Sequence, residues 1–485
     1  MSDKISLKIE GHSQETAVRE IIGICLKRGA VLCDVLPDEN YVLSRADESE
    51  KNISVFTVIS FSGLCGEKTY SHIKNPQKDS RGNMTDAVKL GFYHLFTELF
   101  GRKLPWGAQT GIRPALLASK RLAVMSEAET VTALMREFEI SREKAELAVN
   151  VAINENKLLK KYPRRGISVY VGIPFCPTRC LYCSFVSLPL NKQKKNVEPY
   201  VEYLIKETAY AGELIRNEGV TVDSLYIGGG TPTSLNEKQL EKLLCGIEKA
   251  FDIQNMYEYT IEAGRADTIN EDKLKIISEY TPDNVRISIN PQTLNDSVLE
   301  KIGRNHTSKQ FTDAFSAARR IGFKNINCDV IAGLPTETPE MFESSLKRLI
   351  LLNPENITMH TMCVKRAARL KSDDLDFSAD TAAAEAVASG HRLLDGAGYV
   401  PYYMYRQKDT LGGLENTGYA RRGKEGIYNV YMMDDISSVI GLGAGAVTKL
   451  INDKTNYIER IYNYKDPWEY IKGFDEILKR KKIKL

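Results

Sequence analysis

Cys176, Cys180 and Cys183 follow one another in the spacing C-x3-C-x2-C. Three thiolates that close together can wrap one cuboidal iron–sulfur cluster from a single loop, leaving the fourth iron without a protein ligand. An iron with an open position can bind a small molecule and pass an electron to it. Two plainer readings compete. A structural zinc site wants four nitrogen or sulfur ligands, usually as paired C-x2-C units, and the next cysteine is only Cys245. Chance grouping of buried cysteines is the other. Cys25, Cys33, Cys65, Cys245 and Cys328 sit in apolar periodic contexts and read as small core residues.

Further polar or glycine-rich motifs follow at regular intervals. Leu225-Tyr-Ile-Gly228-Gly229-Gly230-Thr231-Pro232 strips side chains from a turn, so that backbone can approach a ligand. Then come Thr-Ile-Glu262-Ala-Gly, Arg286-Ile-Ser-Ile-Asn-Pro-Gln292-Thr, Gly303-Arg304-Asn-His306-Thr and Asp329-Val-Ile-Ala-Gly-Leu-Pro335. A carboxylate such as Asp329 suits sugar hydroxyls, and an arginine fork suits a carboxylate. Each of these taken singly also reads as a buried polar residue with an internal partner.

The elements that must carry these residues form a repeating pattern from Ile167 onward. β-Branched runs at 168–173, 224–227, 259–263, 284–289, 325–331 and 356–361 alternate with amphipathic runs at 199–216, 237–251, 271–280, 296–302, 309–321 and 339–352. Asn236, Asn270, Asn295 and Thr307 stand where helix caps belong. Six βα units predict an α/β fold, a partial and open parallel β/α barrel, with chemistry at the carboxyl ends of its strands. The cysteine loop follows the first of these strands and the glycine run ends the second.

Ahead of the barrel, residues 1–165 mix a strand (53–61) with helices (85–100, 127–137, 142–156) and read as an α+β domain. A charged stretch with Pro163 and Gly166 closes it. The barrel is assigned to 166–368. Residues 369–485 open on an Ala-rich helix (379–394), continue in Tyr- and Gly-rich loops, and read as a covering domain.

Bulk composition narrows the partners. Lys+Arg at 66 against Asp+Glu at 63 gives a net charge of +3, no support for a nucleic-acid partner. The basic end at 479–484 reads as a solvated tail. The polar start does not resemble a signal peptide, no apolar run is long enough to span a bilayer, and nine cysteines in 485 residues do not read as a disulfide framework. A reducing, cytoplasmic location is the expectation.

Cys-x3-Cys-x-Tyr182-Cys resembles the signature of the radical S-adenosylmethionine superfamily. GGGTPT, RISINPQT, IGRNHT and DVIAGLP, in that order, are similar to oxygen-independent coproporphyrinogen III dehydrogenases, and the match runs from 168 to about 365. The stretches 105–114 (PWGAQTGIRP), 360–366 (HTMCVKR), 402–407 (YYMYRQ), 414–419 (LENTGY) and 440–446 (IGLGAGA) resemble the long, HemZ-type branch of that family. Two of these also have plain readings, Trp106 as a core anchor and 441–446 as a tight turn.

The resemblance implies a [4Fe–4S] cluster on Cys176, Cys180 and Cys183, with Tyr170 packed near it. It implies S-adenosylmethionine held by Gly229, Gly230, Thr231, Glu262, Gln292, Arg304 and Asp329, and by the backbone of Cys363. Reductive cleavage to a 5′-deoxyadenosyl radical would start oxidative decarboxylation of two coproporphyrinogen III propionates, giving protoporphyrinogen IX. An electron donor such as flavodoxin or ferredoxin is implied as partner. Arg113, Arg179, Arg265, Arg406 and Arg421 are candidates for the substrate carboxylates. One departure stands out: the family's Tyr-x-His-x-Pro-Phe-Cys lead-in is here Tyr170-Val-Gly172-Ile-Pro-Phe-Cys176. That opens two alternatives, a haem-trafficking protein of the same fold (axial candidates His306, His360 and Cys363) and another radical enzyme acting on a tetrapyrrole.

Overall fold

The computed structural model describes residues 4–183, 187–363, 377–455 and 457–482. Residues 364–366 of the 360–366 motif, the expected boundary at 368, and Lys484 of the basic end lie outside them. The chain divides into two compact units: Met1–Ala152 with Cys363–Ala384 and Tyr405–Glu415, and Ile153–Met362 with Glu385–Met404 and Asn416–Leu485.

The first unit begins with β1 (Lys4–Glu10), α1 (Glu15–Cys25), β2 (Gly29–Leu32), β3 (Tyr41–Glu48), β4 (Asn52–Phe61), β5 (Leu64–Ile73) and α2 (Ser80–Phe100). Its sheet runs β2-β1-β3-β4-β5. Ala17, Val18, Ile21, Ile22 and Cys25 recur at helical spacing on α1 and turn one face into the core with Val55, Ile59, Phe92 and Phe96. Cys25 is buried as expected, but Cys65 is exposed. It lies on β5, an edge strand whose alternate residues face solvent. Then come α3 (Pro114–Leu122), α4 (Glu127–Phe138) and α5 (Arg142–Lys161).

Three of the sequence motifs meet in this unit. Trp106 Nε1 donates to Glu415 Oε2 at 2.6 Å, and Lys144 pairs with the other oxygen of Glu415. Arg406 Nη1 donates to the carbonyl and side-chain oxygens of Gln109, and Arg406 Nε to Gly413 O at 2.8 Å. Arg406 is 5% exposed, and burial pulls its pKa down to about 10 against the pull of Glu415. Its Nε and Nη1 are spent inside the unit, which gives Arg406 a structural task there. Trp106, at 1% exposure, is the core anchor its type suggested.

The second unit is built on β6 (Ile167–Ile173), the short β7 (Phe175–Cys176) and β8 (Leu188–Pro189), α6 (Leu190–Asn217), β9 (Val222–Gly229), α7 (Glu237–Ala250), β10 (Glu258–Gly264), α8 (Glu271–Glu279), β11 (Arg286–Ile289), α9 (Asp296–Lys301), α10 (Ser308–Ile321), β12 (Ile326–Ala332), α11 (Pro339–Leu351) and β13 (Asn356–Thr361). β6, β9, β10, β11, β12 and β13 lie side by side and parallel in sequence order, the six expected units. Asn236 and Thr307 form capping boxes and Asn270 caps α8. Asn295 does not cap: its amide donates instead to Met341 O at 3.2 Å and Ser345 Oγ at 3.0 Å. α6 starts nine residues before Pro199, which sits inside it; the polar run at 190–198 carries no apolar period to announce a helix.

The chain closes with α12 (Ser378–Gly396), β14 (Val400–Arg406), β15 (Glu415–Ala420), α13 (Ile427–Met433), β16 (Val439–Leu442), β17 (Val447–Ile451), β18 (Ile458–Tyr462), α14 (Pro467–Lys472) and α15 (Phe474–Arg480). β15 pairs antiparallel with β13 at one edge of the six, and β16 parallel with β6 at the other. The described sheet runs β14-β15-β13-β12-β11-β10-β9-β6-β16-β17-β18 and stays open. The C-terminal segment thus supplies strands of the barrel's own sheet. Lys481, from the basic end that reads as a solvated tail, is instead buried against the Glu207 carboxylate.

Alternation along these strands sorts the side chains. Val169, Val171, Leu225, Ile227, Ile261, Ile287, Cys328 and Ile357 are apolar and fully buried on one face. Their neighbours on the inner face are polar: Ser168, Ser224, Thr260, Arg286, Ser288, Asn327, Asn356 and Thr358, all nearly inaccessible. Several of them bond across strands, as in Ser168 Oγ to Ser224 Oγ at 2.8 Å, Asn327 Nδ2 to Ser288 Oγ at 3.2 Å and Thr358 Oγ1 to Asn327 Oδ1 at 3.2 Å. Barrels usually fill this space with Val, Ile and Leu. A polar lumen leads here to the carboxyl ends of the strands. No helix among the described residues is long and apolar enough to cross a membrane.

Candidate functional site

The cysteine loop leaves β6 and is braced at once by the end of β9. Gly172 and Ile173 pair with Gly228 and Gly229, then Gly230 N donates to Ile173 O at 2.6 Å and Thr231 N to Phe175 O at 2.8 Å. Cys176 Sγ lies 3.4 Å from Thr231 Oγ1. A Cβ on Gly230 would come within 2.5 Å of Phe175 O and 3.0 Å of Cys176 Sγ, and Gly229 has a φ of +106°. Gly230 is therefore required by its close approach to the first cysteine, and Gly229 by its positive φ against the Ile173 backbone. Burial raises the Cys176 thiol pKa, against the pull of Thr231 and Arg265. Cys180 is buried and Cys183 half-buried, the two joined by a turn from Cys183 N to Cys180 O at 3.1 Å.

Two buried arginines frame the loop. Arg304 donates from Nε and Nη2 to Tyr182 Oη at 3.1 and 2.9 Å, and from Nη1 to Asn290 O at 2.9 Å and Gly264 O at 3.3 Å. Tyr182 packs against Val298, Leu299, Ile302, Ile331 and Leu334. Arg265, 2% exposed, forks onto Asp267 and reaches Thr178 and the Cys180 sulfur. It is not the substrate-carboxylate arginine proposed from sequence, because its donors are already taken. Arg421 is likewise committed, to Asn353 and the Ala397 carbonyl. Arg179 is exposed, and Arg113 lies in the first unit.

The remaining expected residues line the inner rim. Glu262 Oε1 accepts from Tyr226 Oη at 2.6 Å. Burial, with Asp329 adding to it, lifts the Glu262 carboxyl to about 7 in spite of that hydrogen bond. Tyr226 stacks on Tyr170 at 6.3 Å and on Tyr428 at 4.8 Å. Burial raises Tyr170, so it stays a neutral phenol. Asp329 accepts from Asn327 Nδ2 at 2.9 Å and stands 3.7 Å from His360 Nε2. Burial alone would raise the Asp329 carboxyl, but His360 and Asn327 bring it below its ordinary value; burial lowers His360, and Asp329 more than restores it, so the imidazole is raised.

Gln292 has a φ of +67°, rare for a side-chain-bearing residue, fixed by hydrogen bonds from its N to Asp329 O and from Ile331 N to its O. Its Oε1 is buried without a hydrogen-bond partner. His306 is buried between Arg304 and Asp267, its pKa lowered to about 4 by burial and then by Arg304. Cys363 belongs to the first unit, where its Sγ donates to Lys408 O at 3.4 Å. A Cβ at Gly172, where the resemblance has its lead-in histidine, would meet Leu442 O and Tyr170 Cε1 at 3.4 Å and Ala444 O at 3.6 Å, ordinary contact distances.

Sequence reasoning did not anticipate several partners of these residues. Tyr226, Asn327 and the Arg265–Asp267 fork had no separate signal, although Tyr226 and Asn327 each stand two residues along a strand from a recognised motif residue. The fit to a cluster with a small-molecule ligand rests on three features: soft sulfur donors on one loop, glycine backbone pressed against Cys176 Sγ, and the unpartnered Gln292 Oε1. Among the described residues no three His, Cys, Asp or Glu side chains gather closely enough to hold a single metal ion. A cuboidal cluster instead takes its thiolates at separate corners.

Comparisons with known proteins agree with this arrangement. The model of the Radical SAM superfamily matches residues 170–349. The chain is 34% identical over 449 residues to the oxygen-independent coproporphyrinogen-III oxidase-like protein HemZ of Bacillus subtilis (strain 168), covering 90% of this chain and 88% of that protein. It is 34% identical over 199 residues to the heme chaperone HemW of Lactococcus lactis subsp. lactis (strain IL1403), covering 41% of this chain and about half, 49%, of the chaperone. The solved structure of coproporphyrinogen III oxidase (HemN) from Escherichia coli, described as a radical SAM enzyme, shares the fold with a TM-score of 0.51 at 24% identity, over 67% of this chain and 72% of that one. The cofactors are those of the superfamily, a [4Fe–4S] cluster and S-adenosylmethionine. The chain belongs to the radical SAM superfamily, in the family of oxygen-independent coproporphyrinogen-III oxidase-like proteins.

Proposed function

We propose that the chain is an oxygen-independent coproporphyrinogen III dehydrogenase, converting two propionate side chains to vinyl groups to give protoporphyrinogen IX. The likeness to the oxidase-like relative along nine-tenths of the chain supports this reading. The observation that carries it is the ring of polar residues at the carboxyl ends of the parallel strands, beside a cysteine pressed onto a glycine turn. Cys176, Cys180 and Cys183 are the proposed cluster ligands. Bound together, the cluster and S-adenosylmethionine supply one-electron chemistry able to remove an unactivated hydrogen.

The chain's own groups have distinct tasks under this reading. Asp329, kept ionised beside His360, accepts hydrogen bonds from sugar hydroxyls. Gln292 Oε1 offers an acceptor with no internal donor to compete. Glu262, raised to about 7, holds a proton at its carboxyl more readily than a free carboxylate and yields it to a cationic ligand. Gly229 and Gly230 contribute backbone where a side chain would not fit, and Thr231 follows them with its hydroxyl beside Cys176 Sγ. Arg304 fixes Tyr182 and so the loop bearing Cys183. The stacked Tyr170 and Tyr226 exclude water from the inner wall. A contact from the Cys363 backbone, a flavodoxin- or ferredoxin-like electron donor and a cytoplasmic location complete the proposal.

A second reading, a haem-binding chaperone of the same fold, is favoured by the likeness to HemW. The deciding experiment is anaerobic: reconstitute the cluster, add S-adenosylmethionine, reductant and coproporphyrinogen III, and identify products by mass spectrometry. Protoporphyrinogen IX with 5′-deoxyadenosine supports the dehydrogenase. Cleavage of S-adenosylmethionine without decarboxylation overturns it and points to another tetrapyrrole. Stable haem binding with no turnover of coproporphyrinogen III favours the chaperone.

A further inference from the structure

We propose that Arg265, aimed by Asp267, sets the reduction potential of the cluster through the sulfur of Cys180; this rests on the reading of the three cysteines as its ligands. The side chain of Arg265 is 3% exposed. Its Nε and Nη2 donate to the two oxygens of Asp267 at 2.9 and 2.6 Å. That fork turns Nη1 into the cysteine loop, where it donates to Thr178 O at 3.1 Å and Thr178 Oγ1 at 3.0 Å, and lies 3.7 Å from Cys180 Sγ. Thr178 is itself tied to Gly303 O at 3.1 Å. The guanidinium is therefore fixed from both sides, with its positive edge toward a ligand sulfur and its counter-charge behind.

The sign of the effect follows from charge. Reduction adds one negative charge to the cluster, and a permanently cationic donor on a ligand sulfur stabilises the reduced form more than the oxidised one. Little water is present to screen the interaction, because Arg265 and Cys180 are both buried. Arg304 adds a second positive charge near Cys180, but only Arg265 among the described residues directs a guanidinium hydrogen bond at its sulfur. Arg304 spends its contacts on Tyr182 and two carbonyls, and His306, with its pKa near 4, is neutral at ordinary pH. Asp267 opposes Arg265 in charge while aiming it. Removing the two charges one at a time should move the potential in opposite directions, which loosening of the loop would not do.

The test is a redox titration of the full-length, cluster-loaded protein with titanium(III) citrate, followed by the electron paramagnetic resonance signal of the reduced cluster. Arg265→Gln should be harder to reduce by about tenfold, equivalent to roughly 59 mV for one electron. Asp267→Asn should be easier to reduce. An unchanged potential in Arg265→Gln with an intact cluster, or shifts of the same sign in both variants, overturns the proposal. Where Arg265→Gln fails to hold a cluster, Asp267→Asn decides alone: a positive shift supports the role, and no shift or a negative one ends it. Cys180→Ala in the same titration tests the ligand reading separately, since a full cluster signal there refutes that reading whatever Arg265 does.

Discussion

Replacing Glu262 with glutamine should remove a pH dependence of stability that the structure builds into the inner rim. The carboxyl is half-buried, accepts a hydrogen bond from Tyr226, and has its pKa raised from 4.5 to about 7, by burial first and then by Asp329. A group whose folded pKa is raised binds more protons folded than unfolded. Its favourable contribution is complete below about pH 4.5 and is lost as pH rises through 7. The full difference corresponds to about 3 kcal/mol, and partial exposure reduces this to about 2 kcal/mol. Glutamine keeps an oxygen for Tyr226 and cannot ionise. Without added S-adenosylmethionine, Glu262→Gln should melt with the unmodified protein at pH 5 and about 2–4 °C above it at pH 8. Thermal unfolding followed by intrinsic fluorescence at both pH values measures this. Equal pH slopes for the two proteins would refute the reasoning, because the carboxyl would then ionise in the folded state as it does in water.

Cys180→Ala should lose the broad iron–sulfur absorbance near roughly 400 nm and all cleavage of S-adenosylmethionine, as read by anaerobic absorption spectra and 5′-deoxyadenosine assay. Asp329→Ala should retain that absorbance and weaken S-adenosylmethionine binding by about tenfold or more, as read by equilibrium binding to the reconstituted protein. Lys481→Met should cost about 3–5 kcal/mol, because it leaves the Glu207 carboxylate buried with neutral donors, Gly443 N, Asn463 and Tyr470, and without its cation. The Glu207→Gln/Lys481→Met pair should recover much of that loss in thermal unfolding; equal losses in the single and double variants would count against the charge argument.

The barrel units were legible because strand and helix periods are local. The alternation that makes β6 and β9 through β13 is written in consecutive residues, and so are the caps at Asn236, Asn270 and Thr307. The cysteine loop was legible for the same reason, since three ligands of one cluster lie on one short segment. Arg265 and Arg406 show where local reading stops. Both have the sequence character of arginines available to a substrate, and both are held by internal partners, Asp267 and Gln109 respectively. In Arg265 the partner is two residues away, in Arg406 almost three hundred, and neither spacing carries a pattern.

By itself the sequence determined the order of parallel strands, the loop that carries the cysteines and the rim on which Glu262, Gln292 and Asp329 stand, because each depends on periodicity and spacing within a few residues. Tertiary structure alone decided what those groups experience. Tyr226 and Asp329 set the state of Glu262, and His360 that of Asp329. The C-terminal strands joined both edges of the barrel sheet, and Lys481, from a tail that reads as solvated, became a buried partner of Glu207. Burial and long-range pairing are properties of the folded surroundings, and a charge acquires its energy only when the fold has chosen its neighbours.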